Sequence, residues 1–396
     1  MSLLKISEKF ILNRLKKLEN GNLKLINYDG KVFHFGNLES ELSADIKINN
    51  PNFFTKIILG GSSAFGEAHI KKDFYTSNLT NLIEITAKNV KLVYSFSGSL
   101  KLQKPKNLLK KIFSSNTKSK SLKNISKHYD LGNDFFSKWL DKSLTYSSAI
   151  YIDQNESLEK AQRNKYQKLI DLLKIKEGNK VLEIGCGWGS FSEYLAKNYN
   201  VSIDCITISK KQFEFSKNRI AASGLDNKVN VKFLDYRDVK DKYDNIASIE
   251  MIEAVGENYL NKYFGTIKNL LKSNGTAAIQ GITISDNLFE RYRRSEDFIQ
   301  KYIFPGGFLP SEKFMKQLIK KHNLSLDKIN TYSDDYAKTL NIWKSNFLNA
   351  WKNISPLGFD EAFKRMWEFY LSYCEAGFKS KNINLIQFSM SNNQSV

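Results

Sequence analysis

The chain has 396 residues, among them 27 Phe and 19 Tyr, and carries a formal net charge of +19. That length accommodates one large domain or two ordinary ones, and the charge favours a polyanionic partner, either nucleic acid or an anionic membrane surface. Cys186, Cys205 and Cys374 are widely spaced and the four histidines show no metal-ligand spacing, which excludes a disulfide framework or clustered metal site and points to a reducing cytoplasm.

Residues 1–18 place apolar side chains at helical intervals with Lys between them, and Asn20-Gly21 ends the run. This segment lacks a signal peptide's apolar block, and no apolar run approaches the ~18–20 residues that span a bilayer. A soluble or peripheral protein is expected. From 23 to about 100 the segments LKLINY, KVFHF, SADIKI and VKLVYSF read as strands around a central apolar stretch, FFTKIILGGSSAFGEAHI. Residues 1–100 are therefore expected to form a small α+β domain. Residues 101–127 carry nine lysines and no acidic residue, the composition of a basic linker that can be drawn to anionic headgroups or simply be solvated.

Beyond the linker, strands are expected at 179–184, 201–207, 229–233, 244–250 and 276–284, alternating with helices at about 157–174, 189–198, 210–222 and 258–272. Such alternation predicts an α/β fold, a parallel sheet with helices on both faces and ligands above the carboxyl ends of the strands. The rest, 286–376, reads as mostly helical, with further strands at 324–331 and 384–390. The stripe Trp343, Phe347 and Trp351 falls on one helix face and is expected in the core.

The stretch VLEIGCGWGSF, residues 181–191, sets Gly185, Gly187 and Gly189 at alternate positions after a strand that holds Glu183. Ser190 stands where the G-x-G-x-x-G dinucleotide fingerprint would place its third glycine. The E-x-G-x-G-x-G arrangement instead resembles motif I of S-adenosylmethionine methyltransferases. There the glycines let the backbone approach the cofactor's amino-acid part, and the acid holds its ammonium group. Asp235, Tyr236 and Arg237 follow the third strand, where this fold often contacts the adenine. Thr207, Ser209 and Gln212 are neutral stand-ins for the acid that usually meets the ribose, and Asp204, inside its strand, is expected to carry no ligand. No N/D-P-P-Y sequence occurs, which removes the signature of enzymes that methylate flipped-out adenine.

Further stretches, HYDLGNDFFSKWLDKSLTYSSAIY (128–151), DYRDV (235–239), EMIEAVG (250–256), KYIFPGGFLPS (301–311) and DYAKTLNIW (335–343), run in one order over 128–390. Together they resemble the cyclopropane fatty acid synthases and their relatives that modify mycolic and other acyl chains. The first 100 residues resemble, more loosely, the accessory lipid-engaging domain of bacterial members. The resemblance implies a Rossmann-like, seven-stranded class I methyltransferase domain over 128–396 with a helical lid. It further implies a homodimer peripherally bound at the cytoplasmic face of an anionic membrane, acting on unsaturated phospholipid and not on nucleic acid.

In this family, methyl transfer to an alkene leaves a carbocation, and bound bicarbonate acts as base. The resemblance assigns the bicarbonate cage to Ser148, Glu253, Gln280, Ile282 and Tyr336, and further cofactor contacts to Tyr146 and Ser147. Two positions depart: Ser148 replaces the usual cysteine and Gln280 the usual histidine. Gln donates a hydrogen bond but cannot carry positive charge, so methyl-branched or methylene products stand as the alternative to ring closure. His128, in HYDLGN, is expected to be a helix-start residue.

Overall fold

The computed structural model describes residues 2–98, Ser121 and residues 131–392. The basic run at 101–127, Ser121 apart, and His128 lie outside the described residues.

Near the amino terminus, the helix Leu3–Leu15 leads into a four-stranded sheet ordered β2-β1-β3-β4, with β1 at Asn22–Ile26, β2 at Val32–Gly36, β3 at Ser43–Ile48 and β4 at Phe74–Tyr75. The apolar stretch FFTKIILGGSSAFGEAHI is a helix, Phe53–Ile70, broken by non-helical backbone at Gly61 (φ 55°, ψ −138°). The expected strand VKLVYSF is instead the helix Val90–Gly98. Its β-branched and aromatic content favours a strand, but Val90, Val93 and Tyr94 recur at i, i+3 and i+4 and turn together toward an internal cavity. Tertiary context overrides that weak preference.

The second sheet has seven strands ordered β10-β11-β9-β8-β5-β6-β7. They are β5 Lys180–Ile184, β6 Ser202–Thr207, β7 Val229–Phe233, β8 Tyr243–Ile249, β9 Leu271–Ile284, β10 Ser325–Thr331 and β11 Ile383–Ser391. β5 to β9 are parallel, whereas β11 runs antiparallel to both β9 and β10. Each central strand is apolar because helices cover both faces of a parallel sheet. Strand order reverses at β5, between β6 and β8, and this opens the ligand crevice at its carboxyl end. The β9–β11 register sets Gln280 opposite Gln387.

The largest apolar core joins Phe54 and Ile85 of the amino-terminal region to Trp139, Trp343, Phe347, Trp367 and Phe369. The expected core stripe, Trp343, Phe347 and Trp351, is buried there. Polar ties cross the same join. Buried Glu375 on the helix Glu361–Lys379 accepts from Thr80 at 3.0 Å and pairs with Lys344 at 2.7 Å. Breaking such a buried pair from one side would leave a charge uncompensated. Among the described residues, no helix is long and apolar enough to cross a membrane.

Candidate active site

β5 delivers the chain into the turn Gly185–Gly189, whose three glycines all have positive φ (80°, 53° and 81°). A Cβ on Gly185 would lie 2.9 Å from Met251 Cγ, so this backbone needs glycine for both conformation and space. Gly185 N and Cys186 N donate to Ile206 O at 3.0 Å each, which ties the turn to β6. Beside it opens a cavity of about 520 Å³, within the roughly 300–1,000 Å³ range of small-molecule sites.

Most of the sequence-derived candidates meet at this cavity. Glu183, Gly185 and Gly187 line it from β5 and its turn, Thr207 and Gln212 from β6 and the helix after it, and Asp235, Tyr236 and Arg237 from beyond β7. Tyr146 and Ser147 line it from the loop before the helix Leu158–Leu173. Gly189 and Ser209 do not line it: Gly189 caps the helix Ser190–Asn198, and the Ser209 hydroxyl accepts from Gln212 N at 3.3 Å. Asp204 is held by Tyr243 and Asn230 and pairs with Lys232 at 2.8 Å, and it does not line the cavity.

Electrostatics mark the polar end. Glu183 is buried and accepts from the Ser192 hydroxyl; burial pushes its carboxyl up to about 7. Asp235 accepts from Arg237 through N, Nε and a terminal nitrogen at 2.9, 2.8 and 2.6 Å. Thr207 donates to Gln212 Oε1 at 2.9 Å.

The other end of the cavity is apolar and aromatic. Ile282, Phe304, Phe308, Tyr370, Tyr373 and Phe378 line it, and the amino-terminal helices Leu79–Lys88 and Val90–Gly98 add Ile83, Thr86, Val90, Val93 and Tyr94. Tyr336 stacks on Phe378 with ring centroids 4.4 Å apart.

Two half-buried carboxylates, Glu250 and Glu253, also line the cavity. Glu253 Oε1 accepts from Ile282 N, while Oε2 is buried without a hydrogen-bond partner among the described residues. Burial first, and then the neighbouring Glu250 charge, push its carboxyl up to about 8. Glu250 accepts from Ser148 N at 2.8 Å, Gln280 Nε2 at 2.8 Å and the Tyr336 hydroxyl at 2.5 Å. Burial raises Glu250 as well, but these three donors oppose it. Glu250 is thus held by three donors and Glu253 by one.

Ser148 and Gln280 do not line the cavity and reach it only through Glu250. Gln280 Oε1 accepts from Gln387 Nε2 at 2.9 Å, which orients its amide nitrogen toward Glu250. Four of the five groups that the resemblance assigns to bicarbonate, Ser148, Gln280, Tyr336 and Ile282, are thus engaged by Glu250 and Glu253 and are not open to it.

Sequence reading missed Glu250, although it stands in EMIEAVG. Its one signal was its place just past the carboxyl end of β8, where this fold gathers ligand contacts. Its backbone lies at φ 48°, a left-handed conformation that costs a non-glycine residue roughly 1–2 kcal/mol. Lys165 was also missed. It is fully buried, its Nζ donates to the Ser147 hydroxyl at 2.7 Å, and burial lowers it to about 7.

Comparison with known proteins gives a consistent picture. The mycolic acid cyclopropane synthetase family matches residues 116–388. A tuberculostearic acid methyltransferase of Mycobacterium tuberculosis is 35% identical over 339 residues, 83% of this chain and 79% of that protein. The cyclopropane-fatty-acyl-phospholipid synthase of Escherichia coli is 34% identical over 348 residues, 87% of each chain. The crystal structure of mycolic acid cyclopropane synthase CmaA1 with SAH and CTAB superposes with a TM-score of 0.64 at 26% identity, covering 68% of this chain and 98% of that one.

Proposed function

The chain belongs to the mycolic acid cyclopropane synthetase family and is an S-adenosylmethionine-dependent methyltransferase with the seven-stranded class I fold, and on that premise we propose that it transfers a one-carbon unit to the cis double bond of an unsaturated phospholipid acyl chain. One observation carries this reading: the glycine turn, two half-buried carboxylates and a set of aromatic side chains line one cavity.

The residues at the polar end fit the cofactor. Glu183 lines the cavity and accepts from a hydroxyl, so its carboxyl can also accept from an ammonium group, and Gly185 and Gly187 leave the backbone open to close approach. Bound there, S-adenosylmethionine supplies an electrophilic methyl group. An alkene is a weak nucleophile, so holding it in line matters; such positioning is worth roughly 7–11 kcal/mol. Aromatic faces of Tyr336, Tyr370 and Phe378 stabilise a developing carbocation without bonding to it. The apolar wall excludes water, which would otherwise add to the cation.

In this reading the amino-terminal helices have two tasks. They complete the wall of the acyl arm, and their region, with the basic segment after it, presents the enzyme to an anionic bilayer from the cytoplasmic side. The net charge of +19 supports such attraction, at about 1 kcal/mol per lysine near the surface. A homodimer and the domain limits 1–100, 101–127 and 128–396 belong to the same proposal.

Ring closure is the first reading of the outcome. A methyl-branched or methylene product is the second, favoured by similarity to a tuberculostearic acid methyltransferase equal to that with the cyclopropane synthase. The test is incubation with labelled S-adenosylmethionine and vesicles of monounsaturated phospholipid, followed by proton NMR of the released fatty acids. Cyclopropane protons are expected; vinylic or exocyclic methylene protons would select the second reading. Absence of label from the acyl chains would overturn both.

A further inference from the structure

Four donors beside the cavity are committed to the chain's own carboxylates. Ser148 N, Gln280 Nε2 and the Tyr336 hydroxyl converge on Glu250, and Ile282 N on Glu253. These are the groups that would have to hold an external anion. The Glu250 backbone adds a second observation, since a φ of 48° is a conformation that suits glycine. A glutamate is nevertheless held there with its carboxylate on three donors and facing the cavity.

We propose that the Glu250 carboxylate is the proton acceptor of the reaction, seated where an external anion would otherwise bind, so that turnover needs no bicarbonate; this rests on the reading that the substrate is an acyl-chain alkene. After methylation the positive charge lies on the alkene carbon next to the methylated one. A C–H bond of the added methyl group breaks, and its electron pair forms the bond to the cationic carbon, closing a three-membered ring. The proton passes to a Glu250 oxygen, and cation and carboxylate become neutral product and neutral acid. If the C–H bond of a neighbouring chain carbon breaks instead, its pair becomes a π bond and the proton goes to the same oxygen. Glu250 returns the proton to water once product leaves. Ser148 N, Gln280 and Tyr336 are positioning groups that fix the carboxylate.

The experiment has two arms. In the first, binding of [13C]bicarbonate to the full-length wild type and to Glu250→Gly is followed by NMR, with S-adenosylmethionine calorimetry as the check that both are folded. The glycine variant suits the backbone, frees three donors and should bind bicarbonate at least tenfold more tightly than the wild type. Equal binding would overturn the assignment, and this arm reads the seat even if the substrate reading fails. In the second, turnover of monounsaturated phospholipid is measured in CO2-depleted buffer with and without added bicarbonate. Wild-type turnover should be unchanged, and Glu250→Gln should lose about 10²–10⁴-fold while binding S-adenosylmethionine within threefold of wild type. Bicarbonate-dependent wild-type turnover, or a fully active Glu250→Gln, would overturn it. A wild type that turns over no unsaturated lipid in either buffer would instead sink the proposed function.

Discussion

Glu253→Gln should make the protein's stability less sensitive to rising pH between about 5 and 8, and the size of the effect follows from where Glu253 sits. Its Oε1 accepts from Ile282 N, its Oε2 is buried without a partner among the described residues, and burial beside Glu250 raises its carboxyl from 4.5 to about 8. Above pH 4.5 the unfolded chain releases this proton, while the folded chain keeps it until about pH 8. The folded state thus binds more protons through that window, and stability falls as pH rises. Each pH unit is worth at most about 1.4 kcal/mol for one group. Gln preserves the acceptor for Ile282 N, matches the neutral acid in shape and does not titrate. Between pH 5 and pH 7 the wild type should therefore lose about 1–3 kcal/mol relative to Glu253→Gln. Urea unfolding of both proteins at pH 5, 6, 7 and 8 reads this difference directly. Parallel stability profiles would refute the assignment of the proton to Glu253.

Three further outcomes are expected. With Glu183 raised to about 7 and needed as a carboxylate, S-adenosylmethionine should bind about tenfold more tightly at pH 7 than at pH 5.5; calorimetry should find this dependence flattened in Glu183→Gln. Tyr336→Phe removes a charge-assisted hydrogen bond to Glu250 and should lower kcat by about 10–100-fold, with cofactor affinity unchanged in the same calorimeter. Val93→Arg places a cation in the acyl arm and should raise the KM for long-chain phospholipid at least tenfold while leaving the cofactor Kd within about twofold, because burying an unpaired charge is costly.

Much of the α/β framework was legible because its signals are local. The helix at 210–222 is read at both ends, since Ser209 caps one and Gly224 follows the other. β5 to β9 stand out as apolar runs separated by amphipathic segments. The glycine turn announces its strained backbone through composition alone. The helix Val90–Gly98 was not legible, because its short apolar run fits either period and only the cavity beside it selects the helical one. Lys165 sits in a polar-looking segment, RNKYQ, and nothing local reveals that Ser147 and the neighbouring carboxylates surround it. Gln280 could be flagged as unable to carry charge, but its partner could not be seen. The carboxylate it serves lies thirty residues earlier in the chain, and the amide that orients it, Gln387, lies on β11. Such convergence of distant elements is where sequence reasoning falls short.

The central claim is that a methyl group reaches an acyl double bond and loses a proton there. The most direct test is turnover of a monounsaturated phospholipid with S-adenosylmethionine carrying a fully deuterated methyl group, read by mass spectrometry of the fatty acid. Ring closure predicts an acyl chain one carbon heavier that retains two of the three deuterium atoms. A chain with no deuterium, or with the label only on the headgroup, would contradict it.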